Sequence, residues 1–269
     1  MTSIENVKSS DLKGIERYGY RKEPCKSQSE ILRLKGDATL VLYKNQRLLI
    51  QGSKDNVESA IRILNFLGIG KQKLKGVSVG SDECLKGDTF GGIIVAGVRA
   101  DDNIREEFEK LNVRDSKKML NPQVVSVAWQ IIEKFPKNCH IEALTPKEFN
   151  KLKTKKNITE ILDELHFKCY KKLGGAGIPH IVDLYPGCNV GDIRVKQAES
   201  KYIEVAAASV IARYAGLKQI RELEQKAGFF IPLGSTNVEP ALLEIKKKSL
   251  NPADYVKLSF KNVKEFFSL

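Results

Sequence analysis

Apolar positions along this chain fall into two regimes that meet near residue 70. In the first, a short helical pattern over residues 10–18 leads to Glu30–Lys35 and then to "ATLVLYKNQRLLIQGS". The apolar runs Thr39–Tyr43 and Leu48–Gln51 flank the polar tip Lys44-Asn45-Gln46-Arg47, which predicts a hairpin. Ser53 or Asp55 can cap a following helix in which Val57, Ala60, Ile61 and Leu64 recur at helical spacing. Together these elements predict a small α+β domain over 1–70. The stretch "GIGKQKLKG", 68–76, is rich in glycine and lysine and has no apolar period, so a linker is expected at 71–76.

From residue 77 the pattern alternates between strands and helices. Strands are expected near 77–83, 91–99, 138–144 and 180–184, and helices near 103–111, 121–134, 158–173, 198–226 and 253–267. That alternation predicts an α/β domain, a mixed or parallel sheet covered by helices, over 77–269. The helix expected from residue 198 is the longest. Its run Val205-Ala206-Ala207-Ala208-Ser209 has side chains small enough for close packing on a sheet.

Composition narrows the classes. With 42% hydrophobic and 29% charged residues in 269, the chain reads as a globular protein of one large or two smaller domains. The first residues lack the apolar segment of a secretory signal, and no run approaches the ~18–20 apolar residues of a membrane span. Five scattered cysteines without a C-x-x-C pair are expected to be free thiols in a reducing cytoplasm. His140, His166 and His180 have no metal-site spacing, and His166 in "DELHFKCY" reads as a helix-face residue. Neither a Ser/His/Asp arrangement nor a phosphate-cradling glycine loop is present, which disfavours nucleophilic hydrolases and NTPases. A net charge of +12 points to a polyanion, usually nucleic acid.

Against that charge, three acidic positions stand out. Asp82-Glu83 interrupts the apolar lead into "GGIIVAGV", where a core strand normally excludes charge. The pair therefore either occupies an exposed bend or meets positive charge. Asp183 follows Ile181-Val182 at an expected strand end, before a Pro-Gly turn. Glu199 is expected to open the long helix, where a carboxylate also serves as a simple cap. Acids at element ends can reach nucleic acid through divalent cations, which take oxygen ligands and bridge to phosphate. Two such cations clamp the attacking and leaving oxygens of a phosphodiester displacement.

"GSDECLKGDTFGG", "DSKK" at 115–118, "VDLYP" and "AESKYIEVAAASVIARY", in that order, resemble the type 2 family of ribonucleases H, above all its HIII branch. Residues 1–70 resemble the substrate-binding domain, similar to the TATA-binding protein unit, that precedes the catalytic domain in that branch. The resemblance implies a ribonuclease H-like mixed sheet flanked by helices. It also implies metal-dependent endonucleolytic cleavage of the RNA strand in RNA–DNA hybrids, leaving 5′-phosphate and 3′-hydroxyl ends. It assigns the acids Asp82, Glu83, Asp183 and Glu199 to two Mg²⁺ or Mn²⁺ ions, with Asp82 between the two. A Glu as fourth acid, and no Gly-Tyr motif after residue 200, agree with HIII rather than HII.

By the same resemblance, the loop Cys84-Leu85-Lys86-Gly87 approaches the RNA 2′-hydroxyls. Lys117 and Lys118 are expected to contact phosphate, as are Tyr43, Lys44 and Arg47 of the first domain. The sequence departs from the family at three points. Leu85 replaces a glycine and is expected to crowd the sugar edge or shift the loop; Gly92 replaces a proline; and Lys196-Gln197 replaces Thr-Lys. A monomer is expected. The alternatives are an HII-type enzyme that incises at single ribonucleotides in duplex DNA, and a hybrid-binding protein without catalysis.

Overall fold

The computed structural model describes residues 2–5, 7–67, 69 and 74–268. The chain divides into two compact units, Met1–Gln72 and Lys73–Leu269. Of the linker expected at 71–76, residues 71–73 lie outside the described residues.

In the first unit five strands, β1 (Thr2–Ile4), β2 (Arg21–Glu23), β3 (Glu30–Lys35), β4 (Thr39–Tyr43) and β5 (Leu48–Gln51), form an antiparallel sheet in the order β1-β5-β4-β3-β2. The expected hairpin is β4–β5, closed by Leu42 opposite Leu48 and by Gln46 in a left-handed turn at φ 63°. Alternation puts Leu40, Leu42, Leu48 and Ile50 on the face covered by α1 (Lys54–Phe66), with Val57, Ala60 and Leu64 completing the core. The Asn56 N–H donates to Ser53 Oγ at 3.3 Å, which makes Ser53 the cap. The helical pattern over 10–18 is in fact a set of turns ending in a short 3₁₀ helix, Ile15–Tyr18. Glycines in left-handed conformation, Gly14 and Gly19, bound it on both sides.

The second unit is built on a mixed sheet of β6 (Ser78–Cys84), β7 (Ile93–Ala100), β8 (Cys139–Leu144), β9 (His180–Asp183) and β10 (Ile193–Val195), in the order β10-β9-β6-β7-β8. The pairs β6–β7 and β7–β8 are antiparallel, whereas β9 is parallel to both β6 and β10. Between the strands lie α2 (Asp102–Lys110), α3 (Asn121–Lys134), α4 (Pro146–Lys153) and α5 (Ile158–Leu173). After β10 come α6 (Ala198–Lys201), α7 (Ile203–Ala227), α8 (Glu239–Lys247) and α9 (Lys261–Phe267).

The two sheet faces carry separate cores. Ile94, Ala96 and Val98 meet Ala207, Ala208 and Ile211 of α7, while Ile93 and Val95 meet Ile161, Leu162 and Leu165 of α5. Among the described residues no helix is long and apolar enough to cross a membrane.

Two helix expectations are corrected. The helix expected over 198–226 is broken at Tyr202, which is extended at φ −121°, ψ 120°, so Glu199 sits on the one-turn α6 and not at the start of α7. The helix expected over 253–267 is shortened to α9 because residues 255–257 are used otherwise. Val256 bridges Phe90, Gly91 N–H donates to Tyr255 O, and Lys257 N–H donates to Thr89 O.

Candidate active site

The strand register assembles the acids. Parallel pairing sets Ser81 opposite Val182, so the next residues, Asp82 and Asp183, stand side by side at the ends of β6 and β9. α7 crosses β6 at Gly80, where a Cβ would lie 2.6 Å from Val205 N and 2.7 Å from the Glu204 carbonyl carbon. Only glycine admits that approach. Ser209, one turn beyond Val205, then reaches Asp82 with a hydrogen bond.

The strand does not bend at the acidic pair. β6 stays in register through Glu83 opposite Val95 and Cys84 opposite Ile94. Successive residues therefore face opposite sides: Asp82 faces α7 and Glu83 faces α5. What meets the pair is positive charge, with Lys86 ion-paired to Glu83 and Lys117 in the field of Asp82. The turn comes one residue after the strand, at Leu85, whose φ is 64°.

Leu85 thus adopts the left-handed backbone that favours glycine. Its side chain is buried, filling a notch between Gly91 and Gly216. The residue also lines the cleft described below. Gly92, in place of the family's proline, has no room for a Cβ, which would lie 1.9 Å from Leu144 O.

A cleft of about 470 Å³ results, lined by Asp82, Glu83, Asp183, the loop Cys84-Leu85-Lys86-Gly87, Lys117, Ser209 and Arg213. Glu199 is 9% exposed and lies outside that lining, although its charge reaches Lys117 and the charge of Asp183 reaches it. Lys118 is not brought to the cleft; it is exposed and 3.8 Å from Asp115. Tyr43, Lys44 and Arg47 belong to the other unit, with Tyr43 half-buried and Lys44 and Arg47 exposed at the hairpin tip. Arg47 lies 3.5 Å from Glu5.

Burial pushes the Asp82 carboxyl well above the usual range, and the neighbouring charges of Glu83 and Asp183 push the same way. Glu83 is held down at about 2: burial opposes its ionisation, and His166 and Lys86 outweigh burial. Glu199 is raised, mainly by burial. Burial works against the Lys117 ammonium, but Asp82, Glu199, Asp115 and Asp183 raise its pKa on balance. Burial drives the Cys84 thiol to about 12, so it is no nucleophile.

Among the described residues no three His, Cys, Asp or Glu side chains are gathered closely enough to hold a metal ion as they stand. The donor set nevertheless fits a hard cation. Glu199 Oε2 is buried without a hydrogen-bond partner, Glu83 Oε2 is buried with only His166 Nε2 near it at 3.4 Å, and every candidate ligand is a carboxylate oxygen.

Several residues here escaped the sequence reading. Arg213 donates to the carbonyls of Ser116 and Met119 and to Asn121 Oδ1 (2.7 Å), fixing the turn that carries Lys117. Ser209 Oγ also meets Ser116 Oγ at 2.9 Å. Val205, Ser209 and Arg213 recur every four residues, a helical stripe that was visible but reads as packing. His166 lies on the buried face of α5, with Nε2 3.4 Å from Glu83 Oε2.

A mixed sheet with acids at the ends of two adjacent parallel strands is the arrangement of a ribonuclease H-like nuclease. The family model described as Ribonuclease HII matches residues 79–181 and 189–263, and the chain belongs to that family. Curated relatives of the chain include ribonucleases HIII. It is 30% identical over 270 residues to that of Phytoplasma mali, covering 87% of this chain and 85% of that protein. It is 28% identical over 265 residues to that of Aquifex aeolicus, covering 94% and 97%.

Among solved structures, Aquifex aeolicus RNase H3 matches with TM-score 0.56 and 27% identity over 97% of this chain and all of that one. Bst-RNase HIII in complex with Mn²⁺ matches in fold with TM-score 0.67 and 22% identity over 99% and 97%. The HIII likeness therefore runs nearly end to end.

Proposed function

We propose that the chain cleaves the RNA strand of RNA–DNA hybrids at the cleft between β6 and β9, with Asp82, Glu83, Asp183 and Glu199 holding a pair of Mg²⁺ or Mn²⁺ ions. Family membership makes it a metal-dependent endonuclease of the ribonuclease H class. The observation that carries the assignment of residues is the parallel register that sets Asp82 beside Asp183, supported by the buried, unpartnered Oε2 of Glu199.

Those carboxylates would hold divalent cations that, when bound, would supply an activated water and neutralise charge on the leaving 3′-oxygen, giving 5′-phosphate and 3′-hydroxyl ends. Ser209 fixes the Asp82 carboxylate by hydrogen bonding, and Ala198 N–H occupies one oxygen of Asp183 at 3.0 Å. The ordinary cost of ionising Asp82 in this buried place is what a cation would remove. Lys117 is exposed, stays protonated in the field of the acids, and is available to a substrate phosphate. The loop from Cys84 to Gly87 lines the same cleft with its backbone in the glycine conformation, which supports contact with the ribose edge.

In the first unit the exposed Lys44 and Arg47, beside Tyr43, serve to hold the duplex backbone. The protein acts as a monomer in the cytoplasm, a reading its five free cysteines support.

The test is cleavage of a uniform RNA–DNA hybrid with Mg²⁺ or Mn²⁺, beside EDTA and Asp183→Asn. Cutting that requires both the cation and Asp183 is the expected result. Incision only beside a single ribonucleotide in duplex DNA would turn the reading to the HII-type reaction. Tight hybrid binding without cleavage under any divalent ion would turn it to a binding protein.

A further inference from the structure

Behind Glu83, on the α5 face of the sheet, three buried polar side chains form a line that the cleft does not use. Ser81 and Glu83 share that face of β6, because strand residues two apart point the same way. His180 enters from β9, and His166 descends from α5. Ser81 Oγ lies 2.7 Å from His166 Nδ1 and 2.8 Å from His180 Nε2. His166 Nε2 lies 3.4 Å from Glu83 Oε2, and neither of those two atoms has another partner. All three of Ser81, His166 and His180 are buried. The His180 ring is stacked on Tyr170 at 4.8 Å.

The order of the protons follows from elimination. A bare Nε2 on His166 would set its lone pair against a carboxylate lone pair in a buried place, where that repulsion is strong. Nε2 therefore carries a hydrogen, and in a ring that carries only that one hydrogen Nδ1 is an acceptor. The single Ser81 hydroxyl hydrogen must go to that Nδ1. Ser81 Oγ is left to accept from His180, which fixes the proton of His180 on Nε2. Burial holds His180 neutral, with its pKa pulled down to about 3, which leaves that ring one N–H to give.

We propose that His166 is a positioning residue for Glu83: its Nε2–H is aimed at Glu83 Oε2, and Ser81 with His180 fixes the tautomer that aims it. Lys86 holds the other oxygen, Oε1, so the carboxylate is steadied at both ends while each oxygen keeps a free lone pair. A partner behind a ligating carboxylate orients it and tunes its affinity for the cation. The proposal rests on the reading of Glu83 as a cation ligand.

Two measurements test it. Nitrogen-15 spectra of the histidine rings in the full chain, without metal, are expected to show His166 and His180 both protonated at Nε2 and bare at Nδ1. A His166 bare at Nε2, or doubly protonated at neutral pH, would overturn the relay. Calorimetric titration with Mn²⁺ is expected to show affinity lowered about tenfold or more in His166→Leu. His166→Gln, whose amide can still donate, should stay within about threefold of the parent. Glu83→Gln keeps the two ideas apart. If it binds Mn²⁺ like the parent, the ligand reading itself fails. If it binds weakly while His166→Leu binds normally, only the positioning role fails. The nitrogen spectra of the parent stand even where a variant does not fold.

Discussion

β6 carries a cluster of buried charge near each end, and the two are built in opposite ways. Near its start Glu204, the first-turn acid of α7, is 1% exposed and enclosed by Arg105 and Ser78. Arg105 Nη2 lies 3.1 Å from Glu204 Oε1 and 2.8 Å from Ser78 Oγ, while Nη1 donates to Asp102 Oδ1 (2.8 Å), Leu74 O (3.0 Å) and Gly76 O (2.7 Å). That cluster is closed, with the charge of Glu204 met inside the protein. At the other end Asp82, Asp183 and Glu199 have too few cations around them, and Glu199 Oε2 is buried without a partner. A buried acid with its own arginine holds the fold together, whereas an acid left short of charge is prepared for something from outside.

The sharpest way to break this contrast is to remove one acid from each cluster. Asp183→Asn is expected to lower cleavage by about 10³-fold or more, equivalent to roughly 4 kcal/mol of transition-state stabilisation, while folding normally. Glu204→Gln should do the reverse. It leaves Arg105 buried without its counter-charge and costs about 3–5 kcal/mol of stability. Hybrid cleavage assays beside urea melts of both variants read the two effects. If Glu204→Gln keeps its stability and loses activity, the two clusters are not distinct in kind.

Asp82 sharpens the contrast through pH. Its pKa is raised in the folded protein above the ordinary 3.8. The folded state therefore binds this proton more tightly than the unfolded chain, and stability drawn from the neutral carboxyl is complete below that ordinary value. It is lost as pH rises through the raised folded pKa. Glu83 has the opposite sign, with stability present above its ordinary 4.5 and lost only as pH falls toward about 2. In EDTA, Asp82→Asn should gain stability over the parent as pH rises from 4 to 8, and saturating Mn²⁺ should remove the gain. A pH-independent difference would show that burial of Asp82 is not what sets its behaviour.

Much of this was legible in the sequence because the elements and the acids sit in short local patterns. The helices over 121–134 and 158–173 were read from apolar spacing alone, and Asp82, Glu83 and Asp183 from acids at expected strand ends. What was not legible depends on neighbours distant in the chain. Tyr202 breaks the long helix with no proline or glycine to signal it, and only the seating of α7 over Gly80 explains where that helix starts. Lys257 looks helical in sequence. In the fold it is fully buried, with Nζ donating to Asp88 O at 2.6 Å, and the strand-like bridge of Val256 to Phe90 removes it from a helix. The partners of His166, Ser81 and Glu83, both come from β6, with Ser81 85 residues away, so no local spacing could have revealed them.

Lys117 tests how far the open cluster extends into solvent. Lys117→Ala should weaken hybrid binding and reduce the log–log salt slope by about 0.7–0.9, the share of one neutralised phosphate. Lys118→Ala, whose ammonium is near Asp115 and not in the cleft, should leave the slope unchanged. Equal losses would mean that both lysines act as general surface charge.

The smallest expected effect concerns Leu85, and it bears on why the open cluster can keep its shape. A non-glycine residue at φ 64° carries a strain of about 1–2 kcal/mol. Burying a leucine side chain is worth about 1.5–3 kcal/mol, so the packing between Gly91 and Gly216 offsets the strain with little left over. Leu85→Gly relieves the strain but loses that burial and frees the backbone, so its net cost should be only about 1 kcal/mol. Leu85→Ala keeps the strain and loses most of the packing, so it should cost about 2–3 kcal/mol. The order matters more than the sizes. If Ala were tolerated better than Gly in urea melts, the side chain would not be the anchor of this turn. The loop beside the carboxylates would then owe its conformation to other contacts, such as Lys257 against Asp88.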